Sequence, residues 1–131
     1  MANLQNNLTG LLAARDKAAS EHGRRADDIL LLAVSKKQPT AAMREIYTAG
    51  LTAFGENYVQ EALDKQEELK DLAIDWHFIG PIQSNKTRDI ANAFSWVHSV
   101  DRPKVAQRLA AQREAALPPL NVCVQVNLSA E

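Results

Sequence analysis

The sequence predicts an α/β fold of the (β/α)8, TIM-barrel type, present as a partial barrel. An N-terminal helix precedes strands one to five, and the chain ends before barrel closure. Three observations predict it. Short apolar runs alternate with stretches of helical periodicity, and the β/α unit recurs every ~20–25 residues, as such folds require. The chain has 131 residues, enough for one domain with a real core, whereas a closed barrel typically uses ~250. The last strand has two unlike faces: Val122, Val124, Val126 and Leu128 on one, Asn121, Cys123, Gln125 and Asn127 on the other. The competing architecture, a five-stranded doubly wound sheet, needs central strands that are apolar on both faces. A barrel strand is apolar toward its outer helices and can be polar toward the lumen. Residues 1–131 therefore read as one unit, a barrel cut near its middle.

The elements follow in order. Asn3 to His22 carries Leu4, Leu8, Leu11, Leu12, Ala18 and Ala19 at helical spacing, with Gly23 as its stop. The apolar run from Ile29 to Ser35, bounded by charged residues, predicts a first strand buried on both faces. Pro39 and Thr40 open a helix with Thr40 as N-cap, Met43, Ile46 and Tyr47 on one face, and Gly50 at its end. Ala53 to Glu56 is a second strand, and Tyr58 to Leu69 a helix with Val59, Ala62, Leu63 and Leu69 inward. A third strand, Asp75 to Ile79, closes at Gly80-Pro81 and leads to a helix from Asn85 to Ala93. Trp96 to Val100 is the fourth strand. Asp101 caps the next helix and Pro103 fits its first turn. Val105 and Leu109 face inward, Leu117-Pro118-Pro119 ends the segment, and Leu120 to Leu128 is the fifth strand.

Composition narrows the function classes. A hydrophobic share of 46% and a charged share of 24% are those of a soluble globular protein. A net charge of −1 gives no bulk electrostatic reason for a nucleic-acid or membrane partner. The single cysteine, Cys123, cannot form an internal disulfide and reads as a small buried hydrophobe, so the expected compartment is the cytoplasm. No apolar run approaches the ~18 residues of a membrane span. The N-terminus lacks the basic region and apolar core of a signal peptide. The common nucleotide-binding glycine motifs are absent. His22, His77 and His98 are too dispersed for a spacing-based metal motif, and no local signature assembles a serine or cysteine triad.

The remaining chemistry lies at predicted strand ends, which a parallel barrel gathers on one rim. Ser35-Lys36-Lys37 follows the first strand, Gly55-Glu56-Asn57-Tyr58 the second, and the Gly80–Lys86 segment the third. A lysine at such an end can be partly desolvated, which lowers its pKa and makes it a nucleophile toward an aldehyde. An amine, an amide and a histidine converging there suit a carbonyl cofactor, and Lys36, Asn57 and His77 are the candidates. Structural roles compete at each. Lys36 also reads as a solvated loop residue, Asn57 as a helix cap and His77 as a hydrogen-bonded interior residue. Glu56 reads as a solvated rim carboxylate, Ser84 and Asn85 as caps, and Gln83, Lys86 and Arg88 as surface groups. Phe54, Trp76, Phe78 and Trp96 read as helix–sheet core.

Three blocks carry a resemblance: Leu32-Ala33-Val34-Ser35-Lys36, Phe54-Gly55-Glu56-Asn57-Tyr58-Val59-Gln60-Glu61, and Trp76-His77-Phe78-Ile79-Gly80-Pro81-Ile82-Gln83-Ser84-Asn85-Lys86. In this order and spacing they resemble the YggS/PROSC family of pyridoxal-phosphate homeostasis proteins, and Leu117 to Val122 resembles its bacterial members. The resemblance covers essentially the whole chain and a little over half of a family member. It implies a barrel similar to the N-terminal domain of alanine racemase, with pyridoxal 5′-phosphate held as an aldimine on Lys36. Asn57 is implied at a strand end near the cofactor and His77 in a supporting role.

The implied function is cofactor carriage or buffering in cofactor and amino-acid homeostasis, with amino acids as further ligands and no settled reaction. Racemisation needs acid/base groups on both faces of the reacting adduct. The racemase supplies a tyrosine from a further domain, and no substitute is evident in this sequence. The family's phosphate cup lies in its C-terminal half, so weakened cofactor binding is expected. Unpaired edges at strands one and five imply self-association. Two other readings stay open: a lysine-dependent pyridoxal-phosphate enzyme of the racemase or aldolase kind, and a scaffold that binds no cofactor.

Overall fold

The computed structural model describes residues 4–129. Its elements are α1 (Leu4–Glu21), β1 (Ala33–Val34), α2 (Thr40–Thr48), β2 (Ala53–Glu56), α3 (Val59–Glu68), β3 (Asp75–Phe78), α4 (Thr87–Ala93), β4 (Trp96–Val100), α5 (Pro103–Gln112) and β5 (Asn121–Val124). All five strands are parallel and stand in chain order, β1-β2-β3-β4-β5. That order decides between the two architectures. A doubly wound sheet reverses its order at a switch point and carries helices on both faces, whereas a barrel adds each strand to the same edge.

Helices α2 to α5 share one face of the sheet. Phe78, Val97 and Val100 of the sheet pack with Val59 and Ala62 of α3, Ile90 and Ala91 of α4, and Val105 and Leu109 of α5. Phe54 packs with Met43 of α2 and with Leu69, and Trp76 borders both clusters. Alternation along a strand then sends the residues between these to the other face: Gly55 in β2, Asp75 and His77 in β3, and Trp96 and His98 in β4. The face of the last strand follows suit, since Leu120 packs against the helix-side core.

Several boundaries differ from the sequence pattern. Only Ala33–Val34 of the first apolar run pairs with β2, and Ala26–Asp28 forms a 3-10 turn ahead of it. Val34 is 52% exposed, so the strand is not buried on both faces: the helices cover only one side of it. Pro39 rather than Thr40 occupies the N-cap of α2, because its φ of −72° already sets the helix entry. The Thr40 hydroxyl instead donates to Glu68 Oε2 at 2.8 Å, tying α2 to α3. Arg102 rather than Asp101 is the N-cap of α5, and Pro103 takes the first turn as expected. A 3-10 turn, Ser84–Lys86, precedes α4 and shortens it. The fifth strand stops at Val124, and its register with β4 shifts between Val97 and Val100. Asn3, expected in the opening helix, lies outside the described residues. No helix of the described residues is long and apolar enough to cross a membrane.

Candidate functional site

The carboxyl ends of β1, β2 and β3 lie side by side. Val34 is in register with Gly55, and Gly55 with His77. Lys36, Asn57 and Ile79 each stand two residues beyond those positions, just past the carboxyl ends of three adjacent strands. Lys36 is exposed and is the second residue of the turn that follows β1, which the Gln38 N–H closes onto the Ser35 carbonyl at 3.0 Å. Lys37, the third residue of that turn, has φ +60°. A turn with positive φ only at this position usually takes glycine there, so a lysine implies that the surroundings hold it.

What holds it is a buried charge network on the helix side. Glu56, expected as a solvated rim carboxylate, is fully buried, because Lys65 of α3 reaches it through the core. Lys65, a residue only 7% exposed, donates through its ammonium to Ser35 O at 2.6 Å and Glu56 Oε2 at 2.8 Å, and the ammonium also meets Glu61 Oε2 at 2.8 Å. Three acceptors saturate its three protons, the condition for burying an ammonium. The Ser35 hydroxyl donates to the same Glu56 oxygen. Glu61 Oε2 also accepts the Lys37 amide at 2.6 Å. The hydrogen bond from Lys65 holds the Glu61 carboxyl below the usual carboxylate range against the opposing effect of burial, and the Lys37 amide adds to it.

Asn57 is half-buried. It does not cap α3: Tyr58 is the N-cap, and no side chain caps that end. Nor do Ser84 and Asn85 cap α4, whose N-cap is Lys86. The Asn57 side-chain oxygen is buried and accepts no hydrogen bond within the described chain. Its backbone presses on Gly80, where an added Cβ would lie 2.4 Å from Asn57 O and 2.8 Å from its Cα. Only glycine allows the two rim segments to touch. Asn57, Gln83 and Lys86 line a cleft of ≈ 270 Å³ between these segments, and neither Lys36 nor His77 is part of its lining.

His77 lies one layer below the rim, 1% exposed. Its Nδ1 is 2.9 Å from His98 Nε2 and its Nε2 is 3.3 Å from Asp75 Oδ2. Its ring stacks on Trp96 with centroids 5.7 Å apart and planes 1° from parallel. Burial pushes the His77 pKa down, and the Asp75 charge works against that. Burial thus favours the neutral ring, and both nitrogens have a neighbour within hydrogen-bond reach. Trp96 is thus not helix–sheet core, unlike Phe54, Trp76 and Phe78, because it points to the opposite face.

The structure accordingly places Lys36 and Asn57 just past the ends of the neighbouring strands β1 and β2, and His77 within β3. Sequence reasoning missed the Glu56–Lys65–Glu61 network and the His77–His98 pair. Two signals were available: Glu61 and Lys65 stand at i,i+4 on a helix, and Trp96 and His98 stand two apart on a strand. Among the described residues no group of three or more histidine, cysteine or carboxylate side chains could hold a metal ion.

Comparison with known proteins gives a consistent picture. No protein-family model matches the chain. It is 60% identical over 131 residues to a pyridoxal phosphate homeostasis protein of Pseudomonas aeruginosa, covering all of this chain and 57% of that protein. It is 47% identical over 134 residues to the protein of that name from Escherichia coli, again covering 100% of this chain and 57% of the relative. The chain thus spans a little over half the length of the curated relatives it matches. Among solved structures it is similar to PipY of Synechococcus elongatus, determined with PLP bound, at 41% identity and a TM-score of 0.72. That match covers 92% of this chain and 56% of PipY. The structure of PipY without PLP matches equally well, with a TM-score of 0.72. The family resemblance and the barrel-type fold read from the sequence are borne out.

Proposed function

We propose that this chain, a homologue of the pyridoxal phosphate homeostasis proteins over its whole length, forms the lysine-bearing part of a pyridoxal 5′-phosphate site and serves cofactor homeostasis rather than catalysis. The observation that carries this reading is the position of Lys36. It is an exposed amine on a turn fixed from below, at the carboxyl end of a parallel strand whose neighbour ends at Asn57. The match to PipY, solved with PLP bound, supports the choice of cofactor. When bound, the cofactor supplies an aldehyde to which an amine can add, forming a C=N bond and releasing one water.

The chain's own residues fit that group. Lys36 provides the amine. Asn57, with a buried acceptor oxygen that has no partner in the described chain, provides a polar anchor beside it. His77, fully engaged by Asp75, His98 and Trp96, stiffens the wall beneath without touching the cofactor. Attachment through one amine is sufficient for a carrier, whereas racemisation asks for acid/base groups on both faces. Amino acids, whose amines react with the same aldehyde, are the second class of ligand.

Barrels of this kind commonly hold phosphate with loops after strands seven and eight. Five strands therefore bind the cofactor weakly when the 131-residue chain is studied by itself. Titration followed by imine absorbance tests the reading. A weak, saturable band that Lys36→Ala abolishes is expected. Tight stoichiometric uptake would overturn the weak binding, and a band that survives Lys36→Ala would overturn the lysine assignment.

A further inference from the structure

Every member of the Glu56–Lys65–Glu61 network bears on the turn that carries Lys36. Lys65 grips the carbonyl of Ser35, the first residue of the turn, at 2.6 Å. Glu61 grips the amide of Lys37, the third residue, at 2.6 Å. Lys36 stands between the two anchored positions. The Ser35 hydroxyl bonds to Glu56, so the strand end is also pinned through its side chain.

Lys37 supplies the reason for such an anchor. A non-glycine residue at φ +60° is conformationally unfavourable and persists only where its surroundings overdetermine it. Its amide would otherwise be free to turn away, and with it the direction of the preceding side chain. The 2.6 Å bond to an ionised carboxylate is of the charge-assisted kind, the stronger class of hydrogen bond. Glu61 is in turn oriented by the Lys65 ammonium four residues along the same helix.

We propose that Glu61, oriented by Lys65, is a positioning residue for Lys36: it clamps Lys37 in the left-handed conformation and so fixes the direction in which the Lys36 amine is presented. The proposal rests on the reading of Lys36 as the cofactor-binding amine. α3 thereby couples to the rim of β1 through one carboxylate, and through it governs how readily the lysine reacts.

The test uses the full 131-residue chain and two readouts. One is the exchange rate of the Lys37 amide by NMR. The other is the labelling of Lys36 by pyridoxal 5′-phosphate and borohydride, quantified by peptide mapping. Glu61→Ala keeps a good helix former on a partly exposed helix position and leaves Lys65 its bonds to Glu56 and Ser35 O, and a two-state unfolding transition is the check that the variant is folded before labelling is compared. The expected result is faster Lys37 exchange and about tenfold weaker Lys36 labelling, the size set by losing a left-handed non-glycine conformer. In the Glu61→Ala background, Lys37→Gly restores labelling, because glycine adopts the turn unaided. A carboxylate serving helix stability alone would not be rescued in this way. Unchanged exchange in Glu61→Ala, or failure of Lys37→Gly to restore labelling, would overturn the proposal. Wild-type labelling that does not favour Lys36 would instead sink the cofactor reading, and Lys37 exchange alone would then decide whether Glu61 holds the turn.

Discussion

Four residues account for most of what the rim can do. Lys36 presents the amine, Lys37 bends the chain, Asn57 stands beside them, and Gly80 lets the neighbouring loop close in. Gly80 is the most sharply constrained. A methyl group there would meet the Asn57 carbonyl at 2.4 Å, contact with backbone rather than with a movable side chain. Gly80→Ala should lower the unfolding free energy by about 1–3 kcal/mol in a denaturant titration, the usual range for overpacking. His77 yields a pH prediction. Its folded pKa lies below the ordinary 6.5 because burial disfavours the charged ring. Well above pH 6.5 neither state binds the proton and the histidine contributes no slope. Below it, the unfolded chain takes up a proton that the folded chain does not, so stability falls with pH toward the depressed folded value. Denaturation midpoints between pH 7 and pH 5 should show this loss, and His77→Gln should flatten that part of the profile. An unchanged profile in His77→Gln would contradict the assignment.

At the scale of elements, α3 is the hub. Its Lys65 reaches through the core to the end of β2, and its Glu61 reaches the turn after β1. Breaking a buried ion pair by removing one partner typically costs about 3–5 kcal/mol, much of it the penalty of stranding the other charge. Lys65→Met should therefore destabilise the chain on that scale in equilibrium unfolding. Adding Glu56→Leu to it should recover much of the loss, since the stranded carboxylate goes too. Equal costs for the single and double variants would refute the pairing. The element order was legible in the sequence because turn residues and two periodicities, one of ~2 and one of ~3.6, mark it without help from tertiary structure. Strand lengths were less so. The apolar run from Ile29 to Val34 gives no sign that only Ala33 and Val34 find a pairing partner in β2. Glu56 was misread for a similar reason. A carboxylate at a strand end looks the same in sequence whether water or a lysine nine residues later neutralises it.

At the scale of the whole molecule, strand order decides what local pattern could not. A single parallel sheet in order one to five, with α2 to α5 packed on one face, leaves the other face to carry Val34, Gly55, Asp75, His77, Trp96 and His98. The candidate residues were legible to different degrees for the same geometric reason. Lys36 and Asn57 follow strand ends and so announce themselves, whereas the place of His77 depends on partners from β4. The apolar side of β5 is open in the 131-residue chain, with Val122 47%, Val124 74% and Val126 70% exposed. An exposed apolar edge is a template for association. Sedimentation velocity should therefore show concentration-dependent oligomers, and Val124→Lys should shift them toward monomer. A monomer at all concentrations would contradict this.

One lysine among several is positioned to react, and mass mapping of borohydride-reduced adducts with pyridoxal 5′-phosphate is the sharpest test of that selectivity. A single adduct is expected on Lys36 and none on Lys65, whose ammonium is held among three acceptors. Labelling spread evenly over Lys36, Lys37, Lys65 and Lys86, or absent from Lys36, would contradict it.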